Sequence, residues 1–396
     1  MISVNDHKLL IVDDDPLVLE SVSSLLTMWG YDVLACNSTQ KAIEECRKGG
    51  IDLVVSDIRM PEISGTELLA MIRDLDPDIP VILMTAYVEL EIAIDAIRKG
   101  AFDFLIKPFK PDYLQHAIKR GVEFRRLIKM EKNYKAMLEN KVRETEENLK
   151  AAAVIQQSLL PVSAPEGTSF DFAWQFLPSE QVGGDLFNLF RLDETHVGAY
   201  VLDVCGHGVP AAMISTFVAQ ALDPFSGQLL KRITPVPPGY ELTSPAEVLS
   251  RLNRDYPIER FGKHFTICYL LLDTHSGKVC YSNAALPLPF LIRADGRVES
   301  LGKGGTIIGM GEGVAYEEGE VLMKTGDKLF LHTDGIVEYH NKSGDFFGEE
   351  RLVQELKAAG GETLQTACAR VIQSLMNFGG DQRPEDDITL LGIEFR

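Results

Sequence analysis

The sequence predicts three regions of different fold class. Residues 1–122 are predicted to form a doubly wound α/β domain with a five-stranded parallel sheet, because short apolar runs alternate there with amphipathic helical patterns. Residues 123–163 are rich in charge and contain no proline or glycine before Pro161, which predicts a helical, coiled-coil linker. Residues 164–396 contain many strand-like runs with segregated helices, which predicts an α+β domain.

The overall composition argues against several classes of protein. Apolar residues make up 45% and charged residues 24% of the chain, as is ordinary for globular proteins. No apolar run approaches the ~20 residues that span a bilayer, and the acidic N-terminal stretch does not resemble a secretory signal. Six widely spaced cysteines without a CxxC pair are typical of reduced thiols, so we expect a cytoplasmic protein. A net charge of −19 without a basic cluster argues against nucleic-acid binding.

The first region is predicted from its strands and from the polar residues that follow them. The strand-like runs are residues 8–12, 31–36, 53–56, 81–84 and 102–106, with amphipathic stretches 17–28, 39–48 and 88–99. The carboxyl ends of parallel strands converge on one crevice, so polar residues at those ends should meet. These residues are Asp13 and Asp14 after the first strand, Asp57 after the third, Thr85 after the fourth and Lys107 after the fifth.

Such a crevice suggests phosphoryl chemistry. Three carboxylates would repel one another unless a cation lay among them, and all-oxygen ligation suits Mg²⁺. A carboxylate beside Mg²⁺ and a lysine can attack a phosphoryl group. The alternative is that residues 13–15 form an ordinary turn and residues 107–108 an ordinary loop. Because polar residues stand at all four strand ends, we favour a magnesium and phosphoryl site over this alternative.

The first region resembles the receiver domain of bacterial response regulators, similar to CheY, over residues 5–122. The sequence VVSDIRMP places Asp57 at the phosphoacceptor position, and IKPF places Lys107 at that of the phosphoryl-sensing amine. The resemblance implies Mg²⁺-dependent phosphorylation through a histidine kinase. The other implied roles are the acidic pair (Asp13 and Asp14), a carbonyl ligand of Mg²⁺ (Arg59), the phosphoryl-sensing hydroxyl (Thr85) and the switch aromatic (Phe104).

The linker is predicted to be helical because residues 122–160 contain neither proline nor glycine. Apolar or small residues recur at steps of three and four, with a stutter between Met130 and Leu138. We favour a parallel dimeric coiled coil, and therefore a homodimer. The alternative is a single solvated helix, since Thr145 and Ala152 are poor core residues. The predicted seam is Leu127, Met130, Tyr134, Leu138, Val142, Thr145, Leu149 and Ala152.

In the third region, several strand-like segments end in an aspartate near glycine or beside a second aspartate. Glycine lets the backbone turn sharply close to a bound ion, and oxygen ligands from separate segments suit two hard divalent cations. Such a pair can lower the pKa of a water and aim it at phosphorus. The candidates are Asp185 (VGGD), Asp203 (VLDV), Asp334 (HTDG), and Asp386 with Asp387 (EDDI).

The stretch VLDVCGHG, residues 201–208, allows other interpretations. Cys205 and His207 could act as nucleophile and base, but such pairs normally come from separate segments and need a third residue. Zinc would need soft ligands that the neighbouring sequence does not provide. The remaining alternative is a strand entering a glycine turn, with Cys205 a small buried residue and His207 a hydrogen-bonded turn residue.

Residues 155–396 resemble the metal-dependent PPM-type serine/threonine phosphatases of the bacterial SpoIIE/RsbU-like branch. The motifs IQQSLLP, VGGDLFNLF, VLDVCGHGVPAAM, HTDGIVE and RPEDDITLL occur in that family's order. The resemblance implies a β-sandwich flanked by helices, with two Mn²⁺ or Mg²⁺ ions. The implied ligands are Asp203 as the bridging carboxylate, the Val204 carbonyl, Asp185, Asp334 and Asp386.

Several positions depart from that family's pattern. Cys205 stands where serine is usual, Asn188 where an acidic residue is frequent, and Leu286 where the element Asn-Ala-Gly-His-x-Pro-Pro has histidine. Asp387 occupies a position often filled by asparagine. None of these changes removes an implied metal ligand, but the change at Leu286 bears on substrate handling. Residues 222–243, rich in proline and glycine, are predicted to form a loop near the substrate side.

Together the two resemblances imply a response regulator whose receiver controls a phosphoserine/phosphothreonine protein phosphatase. The implied substrate is a phosphorylated anti-sigma-factor antagonist, which is a STAS-domain protein. One alternative is an adaptor, resembling RssB, that binds a sigma or anti-sigma factor without catalysis, and the intact set of aspartates argues against it. A second alternative is a phosphatase of a small phosphorylated molecule, which the sequence leaves open.

Overall fold

In a computed structural model of the chain, residues 7–85, 90–225, 229–235 and 238–396 are described. The chain divides into two compact units, Met1–Arg143 and Glu144–Arg396. The boundary between them falls within the predicted linker. Among the described residues, no helix combines the length and the apolar character needed to cross a membrane.

The first unit is a five-stranded parallel sheet covered by helices, as predicted. Its strands lie in the order β2-β1-β3-β4-β5. Leu9 and Leu10 pack into different core clusters on opposite faces of the sheet, which explains why the strands are apolar almost throughout. The strands are β1 Lys8–Val12, β2 Asp32–Cys36, β3 Leu53–Asp57, β4 Val81–Thr85 and β5 Asp103–Ile106. The helices are α1 Pro16–Met28, α2 Thr39–Lys48, α3 Gly65–Leu75, α4 Leu90–Arg98 and α5 Pro111–Gln157. Residues 88–89 of the predicted helix 88–99 lie outside the described residues.

Helix α5 continues without a break from the first unit through most of the predicted linker, over 47 residues. Beyond residue 122 it still contacts the first unit. The buried Arg125 donates to both oxygens of Asp76, at 3.2 and 2.5 Å, and Lys129 Nζ lies 2.5 Å from Asp52 Oδ1. Further along, apolar seam residues are exposed in the single chain, namely Met130, Tyr134, Leu138 and Val142.

The second unit is a sandwich of two sheets flanked by helices, as the resemblance implied. One sheet has the order β15-β12-β11-β8-β7, with β16 paired to β12, and the other has the order β14-β13-β17-β18-β6. Side chains from both sheets, such as Val201 and Leu391, share one core cluster between them. Helices α6 and α7 pack on the outer face of the first sheet, and α10 and α11 on that of the second.

The elements of the second unit have the following bounds. The strands are β6 Phe170–Leu177, β7 Leu186–Arg191, β8 His196–Val204, β9 Lys231–Ile233, β10 Tyr240–Leu242, β11 Phe265–Asp273, β12 Lys278–Ala284, β13 Phe290–Ile292, β14 Val298–Ser300, β15 Gly304–Gly305, β16 Gly319–Leu322, β17 Lys328–His332 and β18 Ile388–Phe395. The helices are α6 Val209–Ala221, α7 Pro245–Asp255, α8 Ile258–Phe261, α9 Asp334–Val337, α10 Gly348–Ala358 and α11 Leu364–Gly379.

The stretch 222–243 corrects one prediction. We expected a loop, but β9 and β10 pair there as an antiparallel hairpin. Leu229 and Leu230, just before β9, are buried in the core under α6 and α7. Burial of these two leucines anchors the segment despite its prolines and glycines. Residues 226–228 and 236–237 of the stretch lie outside the described residues.

Candidate functional sites

In the receiver, Lys107 joins two carboxylates at the carboxyl edge of the sheet. Its Nζ donates to Asp57 Oδ1 at 2.6 Å and to Asp13 Oδ2 at 2.6 Å. Asp57 is the last residue of β3, Asp13 directly follows β1, and both are buried. Burial raises the pKa of Asp57, and the hydrogen bond from Lys107 opposes that rise without cancelling it. Three of the predicted strand-end residues, Asp13, Asp57 and Lys107, therefore lie in direct contact.

The other predicted residues of this site lie on the same strands, on neighbouring strands or in the loops that follow them. Asp14 is exposed beside the buried carboxylates, and Thr85 ends β4. The N–H of Arg59 donates to Asp57 Oδ2 at 2.9 Å, so the chain after β3 turns back towards that carboxylate. Phe104 is half-buried in β5. Carboxylate oxygens are the hard donors that Mg²⁺ prefers, and the two buried carboxylates, Asp13 and Asp57, both lie 2.6 Å from Lys107 Nζ.

Gly65 belongs to the receiver site and was missed by the sequence reasoning. A Cβ at this position would lie 2.0 Å from the backbone oxygen of Asp57, so only glycine fits where α3 begins. Its N–H donates to the carbonyl of Ile58 at 2.9 Å, which closes the loop after the phosphoacceptor position. The signal in the sequence was the pair Ser64-Gly65 before a helical pattern, with Ser64 as the N-cap.

In the second unit, the predicted aspartates lie close enough to alter one another's ionisation. Burial, followed by the charges of Asp334 and Asp386, raises the pKa of Asp203 to about 7. Burial, followed by the charge of Asp203, raises the pKa of Asp185. Burial, followed by the charge of Glu338, raises the pKa of Asp334. Burial also raises the pKa of Asp386, and the charge of Asp334 adds to that rise. These four carboxylates, Asp185, Asp203, Asp334 and Asp386, are here called the aspartate cluster. Carboxylate oxygens are the ligands that hard divalent cations prefer.

An unpartnered oxygen gives independent support for a cation site. Asp334 Oδ1 is buried and has no hydrogen-bond partner among the described residues. A buried acceptor without a partner costs about 1–3 kcal/mol. Coordination to a divalent cation would offset that cost, so the oxygen and the carboxylates around it fit Mn²⁺ or Mg²⁺.

Asp185 is held from the second sheet by two threonines. Thr333 Oγ1 donates to its Oδ2 at 2.8 Å, and Thr389 Oγ1 donates to the same oxygen at 2.5 Å. Thr333 follows β17 and Thr389 lies in β18, and the two pair through their backbones. All three residues are buried. The sequence reasoning missed both threonines, although each stands next to a predicted ligand motif, HTDG or DDIT.

The Asp387 carboxylate accepts hydrogen bonds from both ends of the loop before β7. Its Oδ1 accepts hydrogen bonds from the N–H and hydroxyl of Ser179, at 2.8 and 3.1 Å, and its Oδ2 accepts one from the N–H of Asp185 at 3.2 Å. A Cβ on Gly183 would lie 1.7 Å from Asp387 Oδ2, and a Cβ on Gly184 would lie 2.5 Å from the Val204 carbonyl oxygen. The two glycines therefore let this loop approach Asp387 and the end of β8.

The stretch VLDVCGHG places its carboxylate, rather than its thiol, in the aspartate cluster. Cys205 is exposed in the turn after β8, so the expectation of a small buried residue is wrong. His207 is also exposed, and its Nδ1 lies 3.1 Å from Glu180 Oε1. Lys263 Nζ donates to the Cys205 carbonyl at 2.7 Å and so stabilises the turn. The sequence reasoning missed this lysine.

The departures at Leu286 and Asn188 are explained by their surroundings. The Leu286 side chain is buried between the sheets, and its backbone exchanges two hydrogen bonds with the Asn283 side chain, at 2.8 and 2.9 Å. Asn188 donates to the Leu159 carbonyl at 3.4 Å, just past the end of α5. Both side chains therefore serve packing and local structure.

The last turn of α5 contacts the loop that carries Asp185. Gln156 Nε2 donates to the Gly183 carbonyl at 2.8 Å, and Gln156 Oε1 accepts from the Gly183 N–H at 3.2 Å. Gln156 Nε2 also lies 3.1 Å from Ser215 Oγ in α6. One side-chain amide thus satisfies both backbone groups of a buried glycine two residues before Asp185.

Two family models match the chain. The model of stage II sporulation protein E (SpoIIE) matches residues 193–396, and that of the response regulator receiver domain matches residues 9–119. The transcriptional regulatory protein ZraR of Escherichia coli O157:H7 is 41% identical over 123 residues, which is 31% of this chain and 28% of that protein. The C4-dicarboxylate transport transcriptional regulatory protein DctD of Pseudomonas aeruginosa is 39% identical over 121 residues, which is 31% of this chain and 26% of that protein.

This chain spans only about a quarter of the length of these curated relatives. For the second unit, the SiaA-PP2C domain of Pseudomonas aeruginosa has the same fold. Its structure is 21% identical with a TM-score of 0.53, and the match covers 65% of this chain and 99% of that chain. Since the SpoIIE model covers just over half of the sequence, the chain belongs to the SpoIIE family and carries a response regulator receiver domain ahead of its SpoIIE domain.

Proposed function

We propose that this chain is a response regulator in which phosphorylation of Asp57 controls a metal-dependent phosphoserine/phosphothreonine protein phosphatase. The observation that carries the proposal is the aspartate cluster, in which burial, followed by the charges of Asp334 and Asp386, raises the pKa of Asp203 to about 7. Such a cluster is costly unless divalent cations bind to it. Membership of the SpoIIE family supports a phosphatase rather than an adaptor, because the predicted ligand aspartates are present.

The carboxylates of Asp185, Asp203, Asp334 and Asp386, with the Val204 carbonyl, would hold two Mn²⁺ or Mg²⁺ ions. When bound, such ions supply positive charge that activates water and offsets charge on phosphoryl oxygens. The chain's own residues hold these oxygen donors in place. The two threonines occupy one oxygen of Asp185, which leaves the other for a ligand.

The decisive test is hydrolysis of a phosphoserine peptide by the full chain with Mn²⁺ or Mg²⁺. Asp203→Asn should lower the rate by about 100-fold or more, because it removes one carboxylate charge from the residues that would hold the ions. Cys205→Ser and thiol alkylation should leave the rate within about twofold, since the thiol is exposed and outside the aspartate cluster. An inactive Cys205→Ser chain that still binds metal would contradict the proposal.

In the receiver, we propose that Asp57 accepts a phosphoryl group that a histidine kinase supplies. Asp13, Asp14 and the Arg59 carbonyl would hold Mg²⁺ beside it. Lys107, which already donates to Asp57, would bind a phosphoryl oxygen, and the Thr85 hydroxyl would bind another. The proposal rests on this hydrogen bond and on the match of residues 9–119 to the receiver domain family.

The proposed substrate is a phosphorylated STAS-domain anti-sigma-factor antagonist. Membership of the SpoIIE family supports this assignment. Removing the phosphate from serine would let the antagonist capture an anti-sigma factor. Incubating the chain with such a phosphoprotein and separating the two charge forms on a native gel tests it directly. Hydrolysis of a small phosphate ester without hydrolysis of the phosphoprotein would favour a small-molecule substrate.

We further propose that residues 123–163 link the two functions as a parallel dimeric coiled coil. The exposed apolar seam along α5 supports pairing with a second copy, because an exposed row of apolar side chains is otherwise unfavourable. Phosphorylation of Asp57 would change this pairing and, through Gln156, the loop that carries Asp185. A typical coupling free energy of about 1–3 kcal/mol would alter the rate about 5- to 150-fold.

A further inference from the structure

A positively charged cleft lies in the second unit, apart from the aspartate cluster. It has a volume of about 750 Å³ and lies among the end of α6, the end of α7 and α8. Its charged lining consists of three arginines (Arg251, Arg254 and Arg260) and one aspartate (Asp255). In a chain with a net charge of −19, this local excess of positive charge selects for an acidic ligand.

The uncharged walls of the cleft are partly aromatic. Phe217, Tyr256 and Phe261 line it, and the Tyr256 hydroxyl donates to the Phe217 carbonyl at 3.0 Å, which joins α7 to α6. The guanidinium of Arg260 lies 5.1 Å from the centre of the Phe261 ring. Arginine and aromatic side chains are the types enriched at protein–protein interfaces. The lining therefore suits a polypeptide better than a small anion.

Arg254 and Arg260 are the arginines best placed to meet a ligand. Both are exposed. Arg254 Nε bonds only to its chain neighbour Asp255 at 3.1 Å among its described contacts, and Arg260 stacks on Phe261. Arg251, in contrast, is held by Glu247 at 2.6 Å on the same helix. A carboxylate from a partner can therefore approach the first two without displacing a buried ion pair.

An exposed apolar row connects the cleft with the aspartate cluster. Val209, Met213 and Phe217 lie at i, i+4 and i+8 on one face of α6, with exposed fractions of 43%, 51% and 44%. The row begins just after the turn that follows Asp203 and ends in the wall of the cleft. The eight helical steps from its first to its last residue span about 12 Å. An extended peptide covers that distance with about four residues.

We infer that this cleft binds an acidic segment of the phosphoprotein substrate, about four or more residues away from the phosphorylated serine. The inference rests on the proposed phosphatase function and specifies the substrate class. The apolar row along α6 would contact the residues between the phosphoserine and the acidic segment. Arg254 and Arg260 would bind the carboxylates, and their contribution would weaken with salt because both are exposed.

The test uses the full chain with Mn²⁺ and synthetic phosphoserine peptides. One pair carries four consecutive aspartates beginning four residues before or after the phosphoserine, and a third peptide has glutamines at both places. The wild-type chain should show a kcat/KM about fivefold or more higher for one acidic peptide than for the glutamine peptide. In Arg254→Gln/Arg260→Gln that preference should fall to near unity through a higher KM. Hydrolysis of p-nitrophenyl phosphate should not change.

The matched control is Arg297→Gln/Arg370→Gln, which removes two exposed arginines of the same unit, each bonded to acidic residues on the surface. It should keep the peptide preference. A preference that persists in Arg254→Gln/Arg260→Gln, or is absent from a wild-type chain that hydrolyses all three peptides, would overturn the inference. So would a change of oligomeric state in that variant with the preference intact, which would make the cleft an interface between copies. Absence of p-nitrophenyl phosphate hydrolysis by the wild-type chain would instead overturn the phosphatase function itself.

Discussion

Replacing Gln156 with alanine should weaken metal binding at a site to which Gln156 contributes no ligand. In the native chain its amide bonds to the N–H and the carbonyl of Gly183, at 3.2 and 2.8 Å, and approaches the Ser215 hydroxyl. Ser215 keeps its hydrogen bond to the Ala212 carbonyl in the variant. Gly183 is buried, so both of its backbone groups lose their partner.

The expected magnitude follows from those two groups. A buried donor or acceptor left without a partner costs about 1–3 kcal/mol, so two such groups cost about 2–6 kcal/mol if the loop stays in place. The loop can instead move to regain hydrogen bonds, and Asp185 then moves with it. Residues that orient metal ligands typically change metal affinity by about 10- to 100-fold when they are removed. We therefore expect the Mn²⁺ concentration for half-maximal activity to rise within that range.

The assay is p-nitrophenyl phosphate hydrolysis by the full chain, titrated with Mn²⁺, with thermal melts of the same samples. The maximal rate at saturating Mn²⁺ should stay within about threefold of wild type, because the ligands themselves are retained. Gln157→Ala is the matched control, since Gln157 is the neighbouring residue on α5 and is exposed. Gln156→Glu keeps an acceptor for the Gly183 N–H but loses the donor. Its Mn²⁺ concentration for half-maximal activity should therefore lie between those of Gln156→Ala and Gln157→Ala.

Two outcomes would refute this reasoning. If Gln156→Ala and Gln157→Ala titrate identically with Mn²⁺, the amide does not position Asp185. If Gln156→Ala lowers the melting temperature but leaves the Mn²⁺ titration unchanged, Gln156 stabilises the fold without orienting the metal site.

The remaining predictions concern phosphorylation, coupling and ionisation. Label from acetyl phosphate should be absent from Asp57→Ala, since Asp57 carries the Lys107 contact, and persistent acid-labile label would contradict the assignment. Inserting two residues at Leu138 should turn the following part of α5 by about 200° and uncouple the phosphatase rate from receiver phosphorylation. An unchanged response would exclude coupling through α5. The pKa of Asp203 lies at about 7, above the ordinary value near 4, so the metal-free folded state binds a proton that the unfolded state releases. Stability without metal should therefore fall as the pH rises from about 4 to about 7, and Mn²⁺ should remove the slope in thermal melts, whereas an equal slope with and without Mn²⁺ would contradict it.

The receiver was the most predictable part of the chain because its signals are local. Apolar runs identify the strands, and the polar residue after each run lies at the crevice because parallel strands end at the same edge. Asp57 and Lys107 are 50 positions apart in the sequence, yet this rule alone was enough to bring them together. Gly65 was missed because its requirement comes from a backbone oxygen that only the folded loop brings near.

The second unit was less predictable because its decisive contacts join distant segments. Thr333 and Thr389 reach Asp185 across 148 and 204 positions, and no periodicity in the sequence indicates a contact of that kind. The hairpin within residues 222–243 was missed because burial of Leu229 and Leu230 outweighs the local preference of proline and glycine for loops. Cys205 is exposed because the turn after β8 leads away from the core.

The hydrogen bonds that hold Asp185 indicate whether a signal from the receiver would first change the affinity for metal or the maximal rate. Among the described contacts, its carboxylate is held by threonines of the second sheet and its N–H by Asp387. These supports belong to the core of the second unit, so a change in α5 would leave them in place. The hydrogen bonds of Gln156 to Gly183 are different, because α5 also contains residues that contact the receiver, such as Lys129. A shift of α5 would therefore loosen the loop before Asp185 while the threonines still hold its carboxylate. Receiver phosphorylation should accordingly change the apparent affinity for Mn²⁺ more than the maximal rate.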